Sequence, residues 1–176
     1  MDTHTPSRPD GTASSLAVIH ESFIRSHLTS PSEASGCYMT APGDICFAGD
    51  KSILPPPPGT EKHFTISAHL GRPLSRGSVH ITSAPPPKSS EGLSIDPSFF
   101  GHPLDLEVFA RHVQLAEEIA MTKPLLGYLK LDGIRGPGMP EPGEFSDPEK
   151  VKNYLLDTAV SAHHWLGSCQ QIWVGL

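Results

Sequence analysis

The sequence predicts an α+β fold: an antiparallel sheet with helices packed on one face. Three observations lead there. Apolar and polar residues alternate with period two over 63–70 and again over 77–84, the pattern of a half-buried antiparallel pair. Apolar residues recur at helical spacing near 104–121 and 147–164. The 19 prolines and 16 glycines are about a fifth of the chain, against roughly 12% in average proteins, so irregular connections separate the ordered elements.

A chain of 176 residues suits a single hydrophobic core. Residues 1–10 read as a disordered lead and 11–176 as one domain. From Thr12 to Leu28, the residues Leu16, Ile19, Phe23 and Ile24 form one helical stripe, stopped before Pro31. Cys37–Thr40 and Ile45–Ala48 are short strand candidates around the turn Pro42-Gly43-Asp44. The run from Leu54 to Gly59 is polyproline in character and reads as a stiff connector.

The first firm strand sets Phe64, Ile66, Ala68 and Leu70 against His63, Thr65, Ser67 and His69, and the second alternates from Ser78 to Ala84. In the next helix Leu106, Phe109, Val113, Ala116 and Ala120 make one row, and Leu104, Val108, Leu115 and Ile119 a second. A stripe that wide packs against a sheet. Glu107 and Arg111 are spaced for an ion pair on its outer side. After a Gly/Pro-rich excursion over 133–143, Ser146-Asp147-Pro148-Glu149 reads as a capping box. The helix behind it buries Val151, Tyr154, Leu155, Thr158, Ala159 and Ala162 and is expected to end near His163-His164-Trp165.

Net charge is −6 and no Lys/Arg-rich run occurs, so nucleic acid and anionic membrane surfaces are not expected partners. No apolar run approaches the ~20 residues that span a bilayer. The start Met1–Pro6 lacks a signal-peptide pattern, which places the chain in the cytoplasm by expectation. Three cysteines, Cys37, Cys46 and Cys169, without CxxC spacing, argue against a disulfide framework and a thiolate zinc site. HExxH and GxSxG are absent, and adjacent His163 and His164 diverge on a helix, so no metal is expected. Gly133–Gly138 is not GxGxxG and no strand leads into it, so no dinucleotide is expected at that loop.

What remains is an imidazole at a helix exit, beside Trp165 and Gly167-Ser168-Cys169. Spacing leaves two readings: a group that complements the terminal carbonyls, or a proton carrier at a pocket mouth.

Four stretches together bear a family resemblance: Ser75-Arg76-Gly77-Ser78-Val79-His80-Ile81, Ile95-Asp96-Pro97-Ser98-Phe99-Phe100, His102-Pro103-Leu104-Asp105-Leu106-Glu107 and Ser161–Cys169. Over Tyr38–Cys169 the chain resembles the C-terminal, substrate-binding part of glucose–methanol–choline (GMC) flavin oxidoreductases of fungal type. The resemblance implies that His164, three residues before Gly167, takes the hydroxyl proton; His163, Tyr128 and Tyr154 are candidate assistants in the flavin-free reading below. Trp165 stands where that family has proline, and Gln170-Gln171 replace apolar residues.

The family's FAD domain carries GxGxxG, which this sequence lacks. The expectation is therefore a substrate-side domain acting without flavin. It would be a His-assisted isomerase, dehydratase or cyclase on an apolar small molecule of a secondary-metabolite pathway. Two alternatives stand beside it: part of an FAD enzyme whose flavin is held by a separate chain, and a non-catalytic binder or remnant. Thr65, Ser67, His69, His80 and Trp165 are the candidate substrate contacts, Thr82 lying on the same strand face as His80. A homodimer through the face normally covered by the flavin domain is a further expectation.

Overall fold

A computed structural model describes residues 12–55, 59, 62–82 and 92–162. The lead over 1–10 lies outside them. In chain order the elements are α1 (Thr12–Leu28), β1 (Gly36–Pro42), β2 (Phe64–Leu70), β3 (Ser78–Ile81), β4 (Leu93–Asp96), α2 (Pro103–Ala120) and α3 (Pro148–Thr158). Short 3₁₀ turns follow α2 at Leu125–Tyr128 and precede α3 at Pro142–Glu144. The α+β class stands, with helices and small antiparallel sheets.

The strand pairing differs from the sequence expectation. β2 pairs with β1, with Tyr38 opposite Ala68 and Cys37 opposite His69, while β3 pairs with β4 in a separate two-stranded ribbon. Alternation specifies a face but never a partner. The partner is decided by the connection over 71–77, which does not turn back. Its Leu74 and Ser75 amides donate to the Asp105 carboxylate at the start of α2, each at 2.7 Å. Meanwhile Gly71 N donates to Ser35 O and Gly43 N to His63 O, closing β1 onto β2. Of the second early strand candidate only a single bridge, Phe47 to Ile53, forms.

α2 is the central post. One side meets the β1–β2 hairpin and the other meets α3. The core is Ala110, Phe145, Val151 and Leu155, with Phe100, Leu106, Phe109, Val113, Met139 and Ala159 packed around it. α3 therefore rests chiefly on α2 and not on the sheet, because its buried stripe meets the Leu106–Phe109–Val113 row. The outer row of α2 stays open, with Leu115 and Ile119 both exposed.

α3 is shorter at both ends than its periodicity suggests. Its cap is Asp147, one residue later than the expected Ser146: the carboxylate accepts from Glu149 N at 3.0 Å and Pro148 opens the first turn. The helix stops at Thr158, since Ala159 is extended (φ −63°, ψ 133°). Lys51 Nζ, from the 48–52 turn, donates to Leu156 O (2.9 Å) and Asp157 O (2.6 Å), satisfying terminal carbonyls that another helical turn would have used. Residues 159–162 are not helical, and the expected helix end at His163-His164-Trp165 lies outside the described residues.

Gly77 is the position where backbone approach is tightest. A Cβ there would lie 2.1 Å from Asp96 O and 2.9 Å from the Pro97 carbonyl carbon. Backbone on both sides leaves nothing to yield. The substitution Gly77→Ala is expected to destabilise the fold by about 1–3 kcal/mol, as overpacking does; a lowered melting midpoint in thermal unfolding is the readout.

Candidate functional site

Two of the motif stretches, around Ser75 and around Asp105, meet at the N-terminus of α2. His102 begins the helix, its Nδ1 accepting from Leu104 N at 3.2 Å, and Pro103 fills the first turn. One turn in, Asp105 is 4% exposed. Besides the Leu74 and Ser75 amides, its carboxylate accepts from the Ser75 hydroxyl, whose oxygen in turn accepts from His102 N at 3.0 Å. A buried carboxylate needs such donors, because an unpaired one is costly away from water. Two sequence stretches thirty residues apart thus become one knot.

Arg76 extends the knot to α1. Its Nη1 donates to Pro73 O and Ser75 O at 2.7 Å each, and its Nη2 lies 2.8 Å from the His20 ring nitrogens. A guanidinium can only donate, so the His20 ring accepts and is neutral. Burial, then the Arg76 charge, hold its pKa below the usual histidine value. Ile24, 3% exposed, is the apolar anchor of the same helix.

A second cluster joins the hairpin to α2. The Tyr38 hydroxyl lies 3.2 Å from the His112 backbone oxygen and 2.8 Å from Nδ1, and the Ser35 hydroxyl lies 3.0 Å from Nε2. Gly36 makes room: a Cβ there would meet His112 Nε2 at 2.8 Å. Burial lowers the His112 pKa, against an opposing contribution from Ser35, and raises that of Tyr38. A third polar group, Arg135 with Glu117 (2.6 Å) and stacked over Phe145 (5.2 Å), fixes the 133–143 excursion to α2. Nearby, Cys46 donates to Asp44 (3.0 Å), and burial, with that contact, pushes its thiol up to about 12. Such a thiol is not a nucleophile at neutral pH.

The sequence-predicted contacts do not assemble into one site. Thr65 donates to Gly43 O (2.8 Å) and accepts from Ile45 N (3.2 Å), a clip for the turn between β1 and the 45–48 segment. The Tyr38–His112 contact puts Tyr38 and Ala68 on the face toward α2, so Thr65, Ser67 and His69 occupy the opposite face, where His69 keeps a buried Nε2 without a hydrogen-bond partner. His80 is exposed on the separate ribbon. His80 is therefore not brought beside Thr65, Ser67 and His69, because β2 and β3 belong to different sheets. A groove of about 320 Å³ lies instead beside Leu115, Ile119, Pro124 and Leu125, with Glu118 and Lys123. Tyr128 is exposed, and burial raises the pKa of Tyr154. His163, His164 and Trp165 lie outside the described residues. Asp105, His112 and Tyr38 were not singled out from sequence; the signal for Asp105 was an acid in a first helical turn after proline.

Among the described residues no group of three or more His, Cys, Asp or Glu side chains could hold a metal ion. The starts of α2 and α3 do not fit a pyrophosphate. A pyrophosphate seeks a helix N-terminus with free amides, yet those of α2 and α3 carry Asp105 and Asp147 and begin with proline. No helix is long and apolar enough to cross a membrane among the described residues.

Residues 73–170 match the GMC oxidoreductase family, more than half of the chain. The chain belongs to that family, in the part that carries its C-terminal domain. Two relatives, dehydrogenase mpl7 of Monascus purpureus and dehydrogenase citC of Monascus ruber, are each 30% identical over 119 residues, 68% of this chain and 18% of the relative. GMC oxidoreductase family protein Mala s 12 of Malassezia sympodialis is 28% identical over 111 residues, 61% of this chain and 16% of that protein. The chain thus spans less than a fifth of the length of these fungal relatives. No solved structure matches it.

Two outcomes follow from this geometry. Asp105→Asn turns an amide donor toward the Leu74 or Ser75 donor, and is expected to cost about 2–3 kcal/mol in chemical denaturation, the worth of hydrogen bonds to a charged group. His112 has a folded-state pKa below 6.5, so the unfolded chain takes up the proton first. Its stabilisation is complete above 6.5 and is lost as pH falls through the folded value. Melting temperature should therefore decline on acidification below 6.5, more shallowly in His112→Gln, where His20, shifted in the same direction, still contributes.

Proposed function

We propose that this chain is the substrate-side portion of a GMC-type alcohol oxidoreductase, completed by a flavin-holding portion of the same family fold. The observation that carries this reading is an imbalance. Among the described residues seven hydrophobic residues are buried, while eighteen large ones are exposed, although the family-marking motif around Asp105 is fully hydrogen-bonded. A scaffold so well anchored, with so much apolar surface open, is built to be covered. Since the starts of α2 and α3 offer no pyrophosphate cradle, the flavin would be held by that other portion. The substrate class is a small apolar alcohol, with His164 as the proton acceptor that the family resemblance assigns.

The flavin-independent isomerase, dehydratase or cyclase remains the competing proposal. It draws on the same histidine, placed at the mouth of an apolar pocket. A graft separates the two. The 119-residue matching segment of citC dehydrogenase is replaced by the corresponding residues of this chain, continued through His164. The expected product is a yellow, flavin-loaded protein that oxidises an apolar alcohol, and His164→Ala in the graft should lower turnover by about 10²–10⁴. A graft that retains no flavin overturns the oxidoreductase reading. So does a colourless isolated chain that isomerises, dehydrates or cyclises an apolar compound and loses that activity in His164→Ala.

A further inference from the structure

The loop over 46–54 is built around one strained residue. Phe47 bridges Ile53, Leu54 N donates to Cys46 O at 2.9 Å, and Ala48 N donates to Ser52 O at 2.9 Å. The Asp50 carboxylate accepts from the Ser52 amide (3.0 Å) and hydroxyl (2.6 Å). At the tip Lys51 takes φ 68°, the left-handed region that favours glycine. A long side chain persists there only when its surroundings fix it. The Lys51 amide donates to Ala48 O at 2.9 Å, and the ammonium group reaches the end of α3, donating to Leu156 O (2.9 Å) and Asp157 O (2.6 Å).

In a continued helix those two oxygens accept from the Val160 and Ser161 amides. Earlier carbonyls of the same turn have partners within α3: Tyr154 O accepts from the Thr158 hydroxyl (2.7 Å) and Leu155 O from Ala159 N (2.9 Å). Lys51 thus occupies the pair on which the next turn depends. α3 has no basic residue in its own last turn, so the cation that suits the negative end of the helix comes from this loop. The local sequence pulls the other way. The apolar stripe runs on through Ala159 and Ala162, and Ala159 keeps a helical φ of −63°, departing only at ψ 133°. The first departure from a longer helix is a single torsion.

We propose that Lys51 is a positioning residue for His164: its charge holds the end of α3 at Thr158 and so sets the path along which residues 159–162 lead to the proton-accepting histidine. This rests on the reading of His164 given above and adds a residue to it. Four residues rise roughly 6 Å as helix and up to roughly 13 Å when extended. Release of the clamp therefore displaces the start of the His163-His164 pair by up to roughly 7 Å, where a misplacement of about 1 Å can cost about 10²-fold in rate.

The test compares Lys51→Met with Lys51→Arg in the full chain, and repeats both in the citC graft begun at Gly36 so that the loop is included. In Lys51→Met, residues Val160 to Ala162 should take helical NMR shifts, and the Val160 and Ser161 amides should exchange more slowly by about fivefold or more. Lys51→Arg keeps the charge and should match the parent. In the graft, Lys51→Met should lower kcat by about 10²-fold with KM little changed. Adding Val160→Pro, which cannot continue the helix, should recover most of that loss, as loss of a purely structural contact would not. Parent-like shifts and exchange in Lys51→Met overturn the proposal, as does a kcat that is unchanged or that Val160→Pro does not recover. If Lys51→Met does not fold, Lys51→Gln is read in the same way. A parent graft that holds no flavin, or whose turnover survives His164→Ala, overturns the reading beneath instead.

Discussion

A single buried carboxylate organises this chain. Asp105 takes the amides of Leu74 and Ser75 and the Ser75 hydroxyl while sitting in the first turn of α2. An anion in that place is favoured twice, by the donors that surround it and by the positive end of the helix. The consequence is topological. Residues 71–77 are held at the helix start, so β2 cannot fold back on β3, and the chain makes two small sheets where alternation alone suggests one.

α2 then works as a post with two loaded sides. Toward the hairpin the contact is polar at its centre: the His112 ring is held between the Tyr38 and Ser35 hydroxyls. Toward α3 it is apolar, built on Ala110, Val151 and Leu155. Small Ala110 in the middle lets the helices approach closely, which is why the tightest burial falls at alanine and valine and not at the larger residues nearby. Charged pairs at the rim, Lys152 with Glu107 and Arg135 with Glu117, orient α3 and the 133–143 excursion without carrying the packing.

The motifs that mark the family do structural service in the described region. Ser75 and Asp105 form the knot, Gly77 admits the Asp96 backbone, and His102 caps the helix. Together they mount the segment 71–77 on the start of α2, while much apolar surface of the described residues stays open.

Local pattern was enough to place α1, α2 and the strands 64–70 and 78–81, because helical and strand periodicities are properties of neighbouring residues. Three things were not legible. Strand partners depended on a carboxylate thirty residues away, the end of α3 on Lys51 more than a hundred residues upstream, and the fate of Thr65, Ser67, His69 and His80 on which sheet each strand joined. Spacing along a chain encodes which face a side chain takes; only long-range hydrogen bonds decide what that face meets, since donors and acceptors find partners by position in space and not by distance in sequence.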